Sequence, residues 1–585
     1  MRDYQIRSYD PSSFISGYPD IVSRILAFHN INTKDEAEEF LNPSYEKISD
    51  PYCLNDMKLA VKRILLAIKK NEKIVLYGDY DADGIPGVAL LYDFFCAIGY
   101  KNISVYIPHR HDEGYGFHHD AITEFLENGI SLVITVDVGI TAPAEVLYAK
   151  ENGIDVIITD HHIIGEDVPK ACAIVHPKLG KYLDKMICGS ATAFQLVRGI
   201  LIHIRSLKVK DIPEGIHIPN EGWEKWLLDL VGIATISDMV PLVKENRIFA
   251  NYGLRVLQKT RRLGLRALAK MAGVSIQNCT EDDVSFSLTP RLNAASRMDD
   301  PRRAFELLTA TDTIQAETLA NFLVKKNDER KYEVATIMRS VHTKLSSREL
   351  REIVVVGDPS WSQGVLGLVA SKITEEYSVT AFVWSHHNNG TLKGSCRANH
   401  EVDVTALMSS LSPETFLYYG GHQGAGGFSL TRDRIHTLEN ELYAQYLIQK
   451  EASSNSFSSS RATLIDGIYE LSSLTQEVCK QVFECGPFGV GNPKPILALR
   501  GTFKSIKGFG KGNIHTEVTM KSSDSRIWRA VGFFALTDSY TYMPHTGEEV
   551  YVIGSLERSW FRGREEIRLR LIDILQSSHQ VFHSK

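Results

Sequence analysis

The chain has little cysteine, no excess of positive charge and no long apolar run. Its eight cysteines among 585 residues never form a CxxC pair. That argues against a zinc ribbon and a disulfide framework and fits a reducing cytoplasm, with each cysteine a small buried hydrophobe. A formal net charge of −6 gives no global attraction to nucleic acid, so any hold on a polyanion must come from local basic patches or metal ions. No apolar run approaches the ~20 residues of a membrane helix, and the opening MRDYQIRSYDPSS has no apolar stretch of a secretory signal. The expectation is a cytoplasmic protein with no membrane partner.

What is present is the composition of a soluble globular protein, 43% hydrophobic and 23% charged, long enough for three or four domains of about 150 residues. Residues 71–160 alternate β-branched runs (KIVLY, SLVITV, DVIIT) with helical patterns, which predicts a parallel α/β sheet. Helical stretches fill about 222–345. A second α/β pattern starts at REIVVVGD and reaches GGHQGAGG, a Ser-rich EASSNSFSSS follows, and short alternating strands predict a small β-barrel at the end.

Each of the three early strands ends in acid. LYGDYDADGIPG carries Asp79, Asp81 and Asp83, TVDVG carries Asp137, and TDHH carries Asp160, His161 and His162. Ligands of open α/β sheets bind beyond the carboxyl ends of the strands, so these loops are expected at one rim. DADG alone fits an acidic turn as well as a cation site. Clustered carboxylates resist joint ionisation unless a cation sits among them, and oxygen-rich sets suit Mg²⁺ or Mn²⁺. Asp238, inside the apolar LVGIATISDMVPL, is costly there unless paired or bound. Together the elements hold enough ligands for two cations, the standard clamp for phosphoester hydrolysis.

At this point the motifs DYDADG, VDVG, TDHH and SDMVPL resemble those of the DHH phosphoesterase superfamily. With PHRHDEGYGF, PRLNAASRMDD, WSQGVLGLVASK, LKGSCRA, GGHQGAGGF and CGPFGVGNPKP, the chain resembles the RecJ family of single-strand-specific DNA exonucleases. The resemblance implies an α/β fold: an N-terminal segment (1–70) on a DHH catalytic domain (71–300), a connecting helix (301–350), a smaller DHHA1-like α/β domain (351–450), a linker (451–460) and an OB-fold (461–585). It implies two divalent cations, Mn²⁺ or Mg²⁺, held by Asp81, Asp83, Asp137, His161 and Asp238, with Asp137 bridging and His162 against the scissile phosphate. Arg110, Arg297, Ser395, Arg397 and His422 would hold the substrate and its 5′-phosphate, setting a 5′→3′ direction. In the barrel, Trp560 and Phe561 lie among Arg558, Arg562, Arg564 and Arg568, which reads as base stacking with backbone tracking or as a solvated amphipathic strand. Lys504, Lys507, Phe509 and Lys511 repeat the pattern.

The activity so implied is metal-dependent release of 5′-mononucleotides from single-stranded DNA in repair and recombination, with a single-strand-binding protein and a helicase as candidate partners. Two other readings are a phosphodiesterase for short oligonucleotides or cyclic dinucleotides, and a non-catalytic single-strand-binding scaffold. The chain departs from the family pattern at Ile85–Pro86–Gly87, at Tyr77, where some members carry His, and at His176–Pro177, where Asn-Pro is commoner. The role of Asp79 stays open between direct ligand and outer support.

Overall fold

The computed structural model describes residues 3–10, 14–208, 210, 212–213, 215–387, 390–399, 402–452, 462–561, 564–577 and 582–584. Five strands, β1 (Ile74–Gly78), β2 (Ile103–Tyr106), β3 (Leu132–Val136), β4 (Asp155–Thr159) and β5 (Ala173–Val175), form an all-parallel sheet in the order β2-β1-β3-β4-β5. β1, β3 and β4 are the three β-branched runs. Apart from Asp155 at the start of β4 they are buried and mostly apolar, because both faces are covered. Ile74 and Leu76 face the layer that contains helices α1 (Gly84–Ala97) and α2 (Gly189–Ser206), while Val75 and Tyr77 face helices His119–Glu127 and Pro143–Glu151. The strand order reverses between β1 and β3, so a crevice opens at their carboxyl ends.

Helix α3 (Leu228–Ser237) lies in the same core, and helix α4 (Thr313–Ser346) leaves it. At 34 residues and ~1.5 Å per residue, α4 spans ~50 Å. Its Leu319, Ala320 and Leu323 belong to the first core, and its Val334, Ile337, Met338 and Val341 belong to a second core. That second unit is a mixed sheet of β6 (Ile353–Gly357), β7 (Thr380–His386), β8 (Thr391–Arg397), β9 (Tyr418–His422) and β10 (Ala425–Thr431), ordered β9-β10-β8-β7-β6.

The last unit contains β11 (Gly467–Glu470), β12 (Leu497–Phe509), β13 (His515–Lys521), β14 (Ile527–Gly532), β15 (Glu549–Phe561) and β16 (Arg564–Gln576). Pairing of β12 with both β13 and β15 closes the barrel. Two expectations need correction. Residues 1–70 do not pack together on the catalytic unit: Ile21, Val22, Leu26 and Phe40 join the barrel core, and only the stretch from Tyr45 joins the first core. Strand Tyr4–Ile6 also pairs in parallel with Thr463–Ile465 and Phe582–Ser584. The expected linker 451–460 begins as helix, since Ile435–Ala452 is helical, and 453–460 lie outside the described residues.

One buried side chain ties these parts. Arg247 donates to the carbonyls of Phe40, Cys485 and Gly486 and lies 3.7 Å from the Phe40 ring centroid.

Candidate metal centre and nucleic-acid interface

The carboxyl ends of β1, β3 and β4 bring the acidic residues together as the strand pattern requires. The Asp81 carboxylate accepts the N–H groups of Asp83 (2.8 Å) and Gly84 (3.1 Å), which closes the turn into α1. Asp83 is the residue before α1, yet its carboxylate caps α2, accepting from Gly189 at 2.6 Å and Ser190 at 2.7 Å. A helix N-terminus favours an anion there. Asp137 follows β3 with φ +62°, a left-handed conformation rare outside glycine and typical of functional sites. Gly189 has to be glycine, since a Cβ would come within 2.6 Å of the Asp137 side chain.

His161 occupies the middle. Its Nε2 lies 3.1 Å from Asp137, 3.6 Å from Asp238 and 3.8 Å from Asp83. Donor atoms of three sets, Asp79–Asp81–Asp137, Asp83–His161–Asp238 and Asp137–His161–His162, converge within 4.8 Å. Asp79 Oδ1, Asp137 Oδ1 and His161 Nε2 are buried without an aligned hydrogen bond, although the last two lie 3.1 Å apart. Such orphans are costly unless a cation takes them.

The electrostatics report the same strain. Burial and then Asp81 push the Asp79 carboxyl well up, and burial followed by Asp83 and Asp81 does the same to Asp137. Asp238 is pushed up to about 9 by burial and then Asp83. Asp160 goes the other way. Burial alone would raise it, but the hydrogen bond from His162 and that residue's charge bring it to about 2. It accepts from the Ile140, His161 and His162 N–H groups and lies 2.8 Å from His162 Nδ1. His162 is opposed by burial and raised by Asp160 to about 9. Tyr115 closes this group, its hydroxyl 3.2 Å from His162 Nδ1.

The departures from the family pattern have structural answers. Tyr77 points into an aromatic cluster with Tyr106, Phe117 and Phe125, and its hydroxyl donates to Gly116. It is therefore committed away from the carboxylates. Pro86 sits in the first turn of α1, where a missing N–H costs nothing. His176 is buried, with Nε2 3.1 Å from the His162 carbonyl and Nδ1 accepting the Lys178 N–H.

Opposite this acidic rim lies a group of cations. Along β8, Lys393, Ser395 and Arg397 share a face by alternation while Leu392 and Cys396 are buried. Burial, then Arg110, Arg330 and Arg397, lower Arg297 to about 9. Lys393 is lowered by burial and then Arg110. Arg110 lies over the Tyr80 ring at 4.7 Å, Arg297 donates to Gly364, and Arg397 to the Cys396 carbonyl. His422 ends β9, where burial, His162 and Lys178 lower it. The tip of the second unit is thus close enough to the first for His422 to feel the charge of His162.

Several of these groups were not singled out from sequence, Tyr115, Lys178, Arg330 and Lys393, and Asp160 was placed at the rim but given no role. Asp160 was visible directly before the His pair, and Lys393 by alternation with Ser395 and Arg397. Arg330 gives no local signal, since it lies in a charged helical run.

In the barrel, Trp560 is 39% exposed. Arg558 pairs with Glu565 at 3.0 Å and Arg568 with Glu557 at 2.6 Å, cross-strand partners that spend those charges locally. Lys507 pairs with Glu517 at 2.8 Å. Arg562 lies outside the described residues, as do the side chains of Phe561, Arg564 and Lys511. Among the described residues the most exposed aromatic is Phe534, 81% accessible at φ +54°. Its ring centroid lies 4.9 Å from that of His515, which in turn contacts Phe533 and Phe509, and Arg570 lies 4.2 Å from the Phe533 ring.

Residues 73–235 match the DHH family N-terminal domain, 350–446 the DHHA1 domain and 465–573 the RecJ OB domain. The single-stranded-DNA-specific exonuclease RecJ of Bacillus subtilis is 32% identical over 570 residues, covering 96% of this chain and 69% of that protein. The chain belongs to the RecJ family. The Escherichia coli RecJ is 30% identical over 581 residues, covering 95% of this chain and 96% of its own. Among solved structures, RecJ from Thermus thermophilus in complex with Mn²⁺ matches with TM-score 0.77 and 26% identity over 99% of this chain and 80% of that one. An exonuclease RecJ bound to manganese matches with TM-score 0.58 and 31% identity over 67% of this chain and 95% of that one. The DHH, DHHA1 and OB architecture expected for this RecJ-family chain is therefore present, and among the described residues no helix is long and apolar enough to cross a membrane.

Proposed function

We propose that this protein is a divalent-metal-dependent exonuclease that degrades single-stranded DNA from the 5′ end to mononucleotides, for repair and recombination. The observation that carries it is the opposed pair of unscreened charge clusters: orphaned carboxylate and imidazole atoms on one rim, and Arg110, Arg297, Arg397 and Lys393 across from them. A phosphodiester with a terminal phosphate satisfies both.

The donor set fits hard divalent cations, being rich in carboxylate oxygen. Asp79, Asp81 and Asp137 would hold one ion and Asp83, His161 and Asp238 another, with Asp137 between them. This makes Asp79 a direct ligand. Two such ions supply charge neutralisation at the reacting phosphate and a hydroxide nucleophile near neutral pH. The chain's own residues do the rest. Asp160 holds His162 by Nδ1, which leaves Nε2 to donate to a phosphate oxygen. Arg297, Arg397 and Ser395 hold the terminal phosphate, and an Arg fork matches its oxygens. A bound terminal phosphate one nucleotide from the cleaved bond sets the direction. Trp560 and the cluster at Phe534 offer stacking surfaces for bases farther along, and a single-strand-binding protein and a helicase would supply the strand.

The test is end-labelled single-stranded DNA with Mn²⁺, Mg²⁺ or EDTA, alongside duplex DNA and a cyclic dinucleotide. Mononucleotides released from the 5′ end with either metal and none with EDTA are expected. Preference for the cyclic dinucleotide would favour the short-substrate phosphodiesterase instead.

A further inference from the structure

Two irregularities of the backbone flank Asp238 from different elements, and both push apolar side chains into solvent. Met239, directly after Asp238, has φ +58° and is 68% exposed. A long non-glycine side chain in that conformation is uncommon and is held there only by its surroundings. The segment Val284–Leu288 is π-helical, a rare register change frequent at functional sites. It places Phe286 76% exposed. The two are neighbours through Ser237 and Thr289, whose hydroxyls are 2.5 Å apart.

A third segment completes the surface. In CGPFGVGNPKP, which the proposed chemistry leaves without a task, Val490 is exposed, its carbonyl accepts the Leu242 N–H at 2.7 Å, and a Cβ on Gly491 would come 3.0 Å from Pro241. Close packing of that glycine brings the barrel's leading loop onto the stretch that follows Asp238.

We propose that Met239, Phe286 and Val490 form an apolar rail on which the bases just 3′ of the cleaved bond stack as the strand enters. The occupant follows from position. The rail adjoins Asp238 and joins the catalytic unit to the barrel, so a strand gripped at both has its bases over it, and nucleobase faces are the only apolar surface such a strand offers. Stacking of this kind tolerates any sequence. The inference rests on the exonuclease reading, and a binding measurement without hydrolysis separates the two.

In EDTA, the full-length Phe286→Trp variant should lose fluorescence, relative to wild type, when a 20-nucleotide oligo(dT) is added. The same oligomer made abasic at its third to sixth positions should quench far less. With metal, Phe286→Ala should lower kcat/KM for the 20-mer about tenfold relative to the dinucleotide, through KM rather than kcat, and Phe286→Trp should restore it. Quenching in EDTA without any cleavage in Mn²⁺ would leave the rail standing and sink the exonuclease reading. Normal cleavage with no quenching, or equal slowing of dinucleotide and 20-mer by Phe286→Ala, would overturn the rail.

Discussion

The two faces of the central cleft make an instructive pair. On the first sheet's rim, carboxylate and imidazole groups crowd together with no Lys or Arg paired to them among the described residues; their only ion-pair contacts are with one another. Across from it, Arg110, Arg297 and Arg330 of earlier segments gather with Arg397 of the second unit; among the described residues none of them has a carboxylate ion-pair partner, and Arg297 and Arg397 donate to backbone carbonyls. Opposite charges this near would form salt bridges if mutual neutralisation were their purpose. Arg297 feels Asp81, but Arg110, Arg330 and Arg397 weigh more heavily on it. Each face is left unsatisfied toward the gap, which is what the proposed phosphodiester between them would answer. Helix α4 keeps the separation, since its two ends are buried in different cores and its middle carries the buried Asn327 beside Arg330.

The comparison breaks most sharply on the acidic side. Asp238→Ala should lower turnover on the order of a thousandfold or more, because it removes a carboxylate that would hold a cation neutralising charge at the reacting phosphate, while leaving single-strand affinity within about twofold. Asp238 is the better choice than Asp83, whose carboxylate also caps α2. Retained turnover in a folded Asp238→Ala protein would remove it from the ligand set.

Next comes the cationic side. Arg297→Met should slow cleavage of 5′-phosphorylated strands by about 10- to 100-fold, the worth of one charge-assisted contact, and slow 5′-hydroxyl strands several-fold less. Equal slowing would assign Arg297 to general backbone binding. Within the acidic face, Asp160→Asn should cost about tenfold to thirtyfold in kcat, as outer-sphere partners of functional histidines do, and it should lower the pKa of His162 as followed by NMR. A histidine signal that does not move would separate Asp160 from this role.

The smallest effect belongs to the barrel. Phe534→Ala should weaken binding of a long strand about fivefold, in line with loss of one stacked base, and leave the salt dependence unchanged because no charge is removed. An altered salt slope would point instead to displaced Arg568 and Arg570.

Much of the acidic face was legible because its residues follow apolar runs directly: Asp79, Asp137 and Asp160 come one residue after β1, β3 and β4. Sequence periodicity marks where a strand ends, and topology does the rest. β2 and β5 escaped notice, one half-exposed as ISVY and the other only three residues long. The cationic face is the opposite case. Arg110, Arg297, Arg330 and Lys393 come from four separated segments, so only family resemblance pointed to some of them and nothing pointed to Arg330. The barrel arginines were conspicuous in the sequence, yet the structure pairs Arg558 and Arg568 with glutamates across the strand, and Phe534, inconspicuous in its sequence context, is among the described residues the ring most open to solvent.

The three-stranded sheet of Tyr4–Ile6 with Thr463–Ile465 and Phe582–Ser584 has a consequence for how the molecule is made. A strand near the start of the chain waits on the ribosome for partners more than 450 residues away, and meanwhile Ile21, Val22 and Leu26 have no barrel to cover them. Contacts of such separation form late and leave apolar surface open to aggregation or chaperones. The catalytic unit, whose strands lie within about a hundred residues of one another, is free to fold long before. Pairing of that small sheet therefore has to wait until residues 463–465 and 582–584 have been made, well after the first sheet is complete.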